Sequence, residues 1–454
     1  MTNLPQGWVE VHVGDVAESL IDGPFGSNLK TEHYTVDGVR VIRLQNIGDG
    51  RFDDTDKAFI TEERYQLLSR HAAQPDDVLI AALGDVLPRA CLVPPKLGAA
   101  IVKADCFRLR PNDLVDAKYL MFALESPQMR RAAAPQIAGV GRPRLNLRKV
   151  RNLPIAVAPL AEQKRIVAMI EDAFLRIDAG VAGLRRAQRD VVALQKAIIL
   201  AAVTEPYPAH WQRTTVGQAG QVMLGRQRSP KYHHGPKMRR YLRVANVFED
   251  RIDTDDIMSM HFEDAEYDRY RLAPDDILLN EGQSPHLLGR PAIYRGDPPN
   301  VAFTNSLLRF RAGPGVLPGW ALLVFRRHLH AKRFLRESQI TTNIAHLSAG
   351  RFKTVEFPIP PIDEQEAIVA SVEAQLAAAA RVAAELDGQL ARAGRLRSSI
   401  LSVAVAGKLV PQEPEDEPAS VLLNLIAVER DSSNSPRDAA GGRQTRSAGE
   451  RVTA

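Results

Sequence analysis

Hydrophobic positions in this chain follow two different periods. In the stretches VRVIRLQNI (residues 39–47), DDVLIAAL (76–83) and AAIVKADCFRLR (99–110), short β-branched or alternating runs are set off by Gly, Pro and Asp. That pattern predicts strands joined by turns. A helix is predicted from Ala117 to about Ser126, where Tyr119, Leu120, Phe122 and Ala123 form an apolar face before Pro127 stops it. Trp320, Leu323, Val324 and Phe325 repeat that face later in the chain.

A different period governs Ala161 to Val203, which contains no proline. Ile170, Ile177, Leu184, Val191 and Ile198 recur every seven residues, with Ile166, Ala173, Gly180, Ala187, Leu194 and Ala201 at the companion position. Val372, Ala379, Leu386, Ala393 and Ile400 repeat the spacing, accompanied by Ile368, Val382, Leu396 and Val403. These are heptad seams on two long helices, each roughly 65 Å in length at 1.5 Å per residue. The Ala and Gly seam positions let a partner helix approach, although Gly180 and Gly183 each weaken the helix by about 1 kcal/mol relative to Ala. Antiparallel pairing of the two helices is expected. The alternatives are a hairpin linking unrelated domains and a seam for homodimerisation.

The second half of the chain echoes the first at a shift of about 200 residues. Gly7-Trp8 to Val13-Gly14 returns as His210-Trp211 to Val216-Gly217, VIRLQNI as YLRVANV, and PDDVLIA as PDDILLN. LAEQKRIVAMIE returns as IDEQEAIVASVE and KAIILAAV as SSILSVAV. The expected fold class is therefore α+β: two mixed α/β domains separated by two long helices that form an antiparallel coiled coil, with a pseudo-two-fold internal repeat. The expected boundaries are 1–158 and 205–360 for the domains and 159–204 and 361–410 for the helices. A C-terminal segment with a short amphipathic helix (Ala419 to Arg430) is expected over 411–430, then a disordered tail over 431–454.

Composition narrows the function. At 454 residues with 45% apolar and 25% charged residues, the chain reads as soluble and globular. Two cysteines, Cys91 and Cys106, exclude a disulfide framework and thiolate metal clusters, and they suit a reducing cytoplasm. The N-terminal stretch and the longest strongly apolar run, Ala197 to Val203, suggest neither export nor membrane insertion. A net charge of +5 permits nucleic-acid binding, and the acid-free run from Arg226 to Arg243 concentrates basic residues that suit phosphates. A solvated basic loop is the alternative.

Catalytic signatures are weak throughout. Pro75-Asp76-Asp77 and Pro274-Asp275-Asp276 resemble the start of a metal-dependent nuclease site, but no acidic-x-Lys partner follows, and a turn before a strand is the better reading. Asp297-Pro298-Pro299-Asn300 lacks the stacking aromatic of an amino methyltransferase, and Gly407-Lys408 lacks the rest of a phosphate loop. His33, His71 and His261 have no metal-spaced or nucleophile partner in sequence. No catalytic residue and no metal site are expected.

On these residues the chain closely resembles the specificity subunits of type I DNA restriction-modification systems. DGPFGSNLKTEHYTVDGVRVIRLQNI (22–47) is similar to the start of that family's first recognition domain. PLAEQKRIVAMIE and PPIDEQEAIVASVE resemble its two conserved helix openings, and AGKLVPQEPEDEPASVLL (406–423) its C-terminal segment. The resemblance implies that each α/β domain reads one half of a gapped double-stranded DNA site and that the helices set the gap. It also implies two modification subunits carrying S-adenosylmethionine and two restriction subunits using ATP and Mg²⁺, with no cofactor in this chain and action in the cytoplasm. The second domain departs from the pattern, with GRQRSPKYHHGPKMRRY (225–241) in place of the Gly-Pro-Phe-Gly stretch. Different half-sites are therefore expected.

Reading bases requires long donors and amides on loops, flanked by phosphate binders. The candidates are Lys30, Arg43, Gln45, Asn46, Arg142, Arg144 and Asn146 in the first domain. In the second they are Arg226, Arg228, Lys231, Arg243, Asn246, Ser284, Arg290, Thr342, Asn343 and His346. Glu162, Gln163, Glu364 and Gln365 open the long helices, where acids favour the helix dipole. Capping and subunit docking are the two roles considered for them. Two other functions compete: a nuclease or methyltransferase with a disguised site, and a coiled-coil DNA-binding scaffold acting outside any restriction complex.

Overall fold

A computed structural model describes residues 4–112, 115–139, 141–341 and 344–434. It divides into two compact units, the first formed by residues 1–182 with 390–454 and the second by 183–389.

Each unit contains a mixed head whose strand pairings repeat. In the first, Val9–His12 pairs antiparallel with Pro154–Val157, so the head closes on itself just before the long helix. A four-stranded sheet runs in the order Ala17–Asp22, Cys106–Pro111, Val78–Ala81, Arg89–Leu92. A second sheet is built around the parallel pair Val39–Ile42 and Ala100–Val102. In the second unit Gln212–Thr215 pairs with Glu356–Ile359, closing that head in the same way. Its four-stranded sheet runs Gly220–Leu224, Leu307–Ala312, Ile277–Asn280, Pro291–Ile293, and Met238–Leu242 pairs parallel with Ala302–Phe303.

The central strand shows why a continuous apolar run is needed. All of Val78–Ala81 is buried. Val78 and Ile80 face a core with Phe107, Leu109, Tyr119 and Leu124, whereas Leu79 and Ala81 face another with Ile42, Val102, Cys91 and Cys106. A strand covered on both faces has no polar side to alternate with. The helix Ala117–Glu125 covers the first face, capped by Asp116, whose side chain accepts from the Tyr119 amide. The helix stops before Pro127 as expected, and Pro127 then opens a second helix, Pro127–Ala133, capped by Ser126. The missing amide of a proline costs nothing in a first turn.

The long helices span Leu160–Ala202 and Ile362–Val405. In the first unit Ile166, Val167 and Ile170 share a core with Leu401 and Ala404. Asp178 pairs with Arg397, whose guanidinium lies 4.7 Å from the centroid of the Phe174 ring. In the second unit Ile199 and Val203 share a core with Val372, and Gln188 donates to Asp387 at 2.6 Å. Within each unit the contacts therefore run in opposite chain directions.

The expected seam is only partly used. Ile170, Val191, Val372 and Ala379 are buried, but the companions Leu194, Val382 and Leu396 are 50–52% exposed. A Cβ added at Gly180 or Gly183 would meet nothing within 4 Å among the described residues, so these glycines do not serve close approach. A single partner helix covers one narrow stripe, which leaves the rest of an apolar face open. By length and composition Ile362–Val405 could also cross a membrane, which the short apolar runs in the sequence did not suggest. Its Val372 and Gln365 are nevertheless buried within the second unit.

The C-terminal helix, Ala419–Asn434, extends past the expected boundary at residue 430. Ala419 and Ile426 are buried in the core of the first unit, and the Ala419 amide donates to Gly7 O at 2.8 Å.

Candidate nucleic-acid interface

Glu162 and Gln163 at the first helix opening and Gln365 at the second are buried, while Glu364 is part exposed. Trp8 Nε1 donates to Glu162 Oε2 at 2.9 Å, and Gln412 donates to the other oxygen at 2.5 Å. Gln163 is fully buried, accepts from the Asp116 amide at 3.1 Å and donates to Ala158 O at 2.9 Å. In the second unit Trp211 Nε1 donates to Glu364 at 2.8 Å, with His210 Nε2 2.7 Å from the same carboxylate. Gln365 accepts from the Leu317 amide and donates to Gly315 O and Pro360 O. These four residues fasten each helix to its head; burial corrects the subunit-docking expectation for Glu162, Gln163 and Gln365, whereas the Glu364 side chain stays 39% exposed. Burial and bonding leave Glu162, Gln163 and Gln365 no surface to offer a partner. Burial holds the Glu162 carboxyl above its ordinary range, opposed by the Trp8 and Gln412 bonds.

A second duplicated device shapes the loop after the parallel strand. Asn46 is fully buried, and its Nδ2 donates to Asp53 O and Asp56 O while its Oδ1 accepts from the Arg43 amide. Asn246 does the same with Asp253 O, Asp256 O and the Arg243 amide. Both amides are thus spent inside the loop, which corrects their expected place among the base readers. Arg43 and Arg243 form ion pairs with Asp56 and Asp256, and Gln45 Nε2 donates to Asp56 at 2.8 Å.

The third duplicated place is the loop edge where each head turns into its last short helix. Leu145 N donates to Ala82 O, and Leu347 N to Glu281 O, at 2.9 and 2.8 Å. The next residues, Asn146 and Ser348, cap the helices Leu147–Arg151 and Ala349–Thr354. The side-chain oxygen of Asn146 is committed to that cap, accepting from Lys149 N at 2.9 Å. The residues just before the anchors, Arg144 and His346, occupy equivalent positions. Arg144 pairs with Asp105 at 2.7 Å, and His346 Nδ1 lies 3.3 Å from Glu281. Arg142 is exposed beside Arg144.

The remaining candidates divide. Lys30, Arg228 and Lys231 are exposed, Lys30 lying 3.5 Å from Glu32 and Lys231 over the Tyr232 ring. Ser284 is half-buried. Arg290 is also half-buried, stacked 4.5 Å from the Phe248 centroid, and desolvation lowers its affinity for a proton. Arg226 is corrected to a core role: it is 4% exposed, bonds Glu266 at 2.7 Å, and sits between the rings of Tyr232 and Phe262. Thr342 and Asn343 lie outside the described residues.

Sequence reading missed the acids that aim these donors, Asp105 and Glu281, because neither belongs to a local motif. Asp22 also approaches Asp105, and burial first, then that neighbouring charge, pushes its pKa up to about 6. In each Asp-Asp turn the second carboxylate is engaged in an ion pair, while Asp76 and Asp275 are exposed. Asp77 and Asp276 are buried and bidentate to Arg110 and Arg311 at 2.7–2.9 Å. Among the described residues no cluster of three or more His, Cys, Asp or Glu could hold a metal ion. The arrangement can offer donors on loops and balance charge.

Residues 5–179 match the family model for the type I restriction modification DNA specificity domain. The chain is 23% identical to the type I restriction enzyme EcoKI specificity subunit of Escherichia coli K12, over 95% of this chain and 97% of that protein. It is also 23% identical to the StySPI specificity subunit of Salmonella potsdam, over 94% and 96%. A stretch of 36 residues, 8% of this chain and 6% of the relative, is 64% identical to the EcoAI specificity subunit of Escherichia coli. Among solved structures, a chain from work on complex assembly and conformational transition of the type I R-M system is similar with a TM-score of 0.68 at 19% identity, covering 89% of this chain and 99% of that one. The HsdS subunit from Thermoanaerobacter tengcongensis gives 0.51 at 20% identity, covering 89% and 98%. At such identities the structural likeness speaks to the fold, a mixture of helices and strands.

Proposed function

We propose that this chain, whose residues 5–179 are a type I restriction modification DNA specificity domain, acts as the non-catalytic specificity subunit of a type I restriction-modification complex. Residues 1–158 and 205–360 are the two target recognition domains, each reading one half of a bipartite, gapped site. The helices over 159–204 and 361–410 form an antiparallel spacer that sets the gap, in a pseudo-two-fold arrangement. The segment over 411–430 secures the first head.

The observation that carries this reading is the repetition, head by head, of a charged loop edge on one strand framework: Arg144 with Asp105 in the first, His346 with Glu281 in the second. Two similar readers with different contact residues suit an asymmetric site. Arg142, Lys30, Arg228 and Lys231 supply the phosphate contacts around them, and Gln45, Arg43, Arg243, Ser284 and Arg290 flank the edges. Thr342 and Asn343 remain candidates by sequence.

Two modification subunits bring S-adenosylmethionine and methylate adenine, and two restriction subunits bring ATP and Mg²⁺; this chain itself takes no cofactor. They dock on apolar helix positions left uncovered, Leu396 and Val403 in the first unit and Leu194 and Val382 in the second. The complex works on DNA in the cytoplasm.

Co-expression with the cognate modification subunit, followed by genome-wide mapping of methylated adenine, tests the proposal. One bipartite sequence with a constant gap is expected. Methylation or cleavage by the purified chain alone would instead establish an enzyme, and failure to associate with a modification subunit would favour a free-standing scaffold.

A further inference from the structure

We propose that Arg144 and His346 are the specificity-determining residues of the two heads, Arg144 selecting a guanine in one half-site and His346 a purine in the other. The inference rests on the specificity-subunit reading and deepens it, since it names which position in each head carries base choice.

Comparison of the heads with each other separates framework from reader. At matched places the framework keeps its residues: Trp8 and Trp211 on Glu162 and Glu364, Gln163 and Gln365 in their backbone bonds, Asn46 and Asn246 in their loops, Asp77 and Asp276 on Arg110 and Arg311. Arg144 and His346 share a place but not a chemistry. Each precedes a fully buried leucine, Leu145 or Leu347, whose amide is tied to the central strand's extension at Ala82 or Glu281. Each is followed by a capped helix rooted in the core through Val150 or Phe352. The backbone on either side of the reader is therefore held, while the side chains themselves remain 42% and 44% exposed.

The aiming carboxylates come from different elements. Asp105 follows the strand Ala100–Val102, and its counterpart in the second head, by register, is Ser306. Glu281 follows the strand Ile277–Asn280, and its counterpart in the first head is Ala82. Each head has thus oriented a basic side chain at the same place by its own means, which the tuning of two readers to different sequences requires. A guanidinium held on one side by a carboxylate keeps further N–H groups to span guanine O6 and N7. An imidazole offers one donor outward and suits a single acceptor such as purine N7.

The test uses the full chain complexed with its modification subunit, and selection from a library of random-sequence duplexes read by sequencing. Arg144→Gln should lower discrimination at one base pair of one half-site by about ten- to a hundredfold, leaving the gap and the other half-site unchanged. Arg144→Lys keeps the charge and donors for guanine but not the planar fork, and should weaken that discrimination less than Arg144→Gln does. His346→Gln should relax one position in the other half-site only. If Arg144→Gln keeps the wild-type base preference, or if affinity falls evenly for all sequences, Arg144 is a phosphate contact and the assignment is overturned. Relaxation of the same half-site by Arg144→Gln and by His346→Gln overturns it too. A wild-type complex that enriches no bipartite sequence overturns the underlying reading, and the assignment with it.

Discussion

Replacing Gln163 by alanine tests whether a single buried amide fastens the first long helix to its head. Gln163 accepts from the Asp116 amide at 3.1 Å and donates to Ala158 O at 2.9 Å, with no exposed surface. Truncation leaves one donor and one acceptor without partners, each costing about 1–3 kcal/mol, so a loss of about 2–4 kcal/mol is expected, Asp116 being only part-buried. That is a large fraction of the roughly 5–15 kcal/mol that holds a typical domain together. Native-state hydrogen exchange resolves it by segment. Amides at the start of the first helix should exchange roughly 30- to 700-fold faster, while those at the start of the second, held by Gln365, keep their protection. Gln163→Met preserves volume but not the bonds and should behave like alanine. If the methionine variant were as protected as the parent, packing rather than hydrogen bonding would fasten the helix, and the argument would fail.

Three further outcomes are expected. Burial pushes the Glu125 carboxyl up to about 8 from 4.5, so the unfolded chain releases this proton first, and the group destabilises the fold increasingly from about pH 4.5 to pH 8. Glu125→Gln should flatten that fall, and urea unfolding at pH 5 and pH 8 should show its gain over the parent only at the higher pH. Asn246→Ala should free the loop between Arg243 and Asp256, cost about 2–4 kcal/mol and weaken DNA binding through disorder, whereas Gln45→Ala should leave stability within about 0.5 kcal/mol. Four residues inserted into one long helix lengthen it by about 6 Å, and methylation mapping should then find a changed gap between unchanged half-sites.

Part of this molecule was settled before any folding was considered. Heptad spacing and the absence of proline determined the two long helices to within a few residues, since helix formation answers to a local period. The duplicated PDD turns were equally legible, because Asp76 and Asp275 adopt the positive φ that such turns use. Tertiary structure decided everything that depends on residues far apart in the chain. Glu162 and Gln163 looked like a helix opening and proved to be a clamp, because Trp8 and Asp116 arrive from elsewhere. Asn46, Asn246 and Arg226 carried the polarity of DNA contacts, yet burial turned them inward. Arg144 and His346 became a matched pair only when strand register placed Ala82 beside Leu145 and Glu281 beside Leu347. A local pattern reports which backbone shape a segment prefers, but the partner of a polar group is chosen by long-range packing, and it is that partner that separates a reader from a rivet.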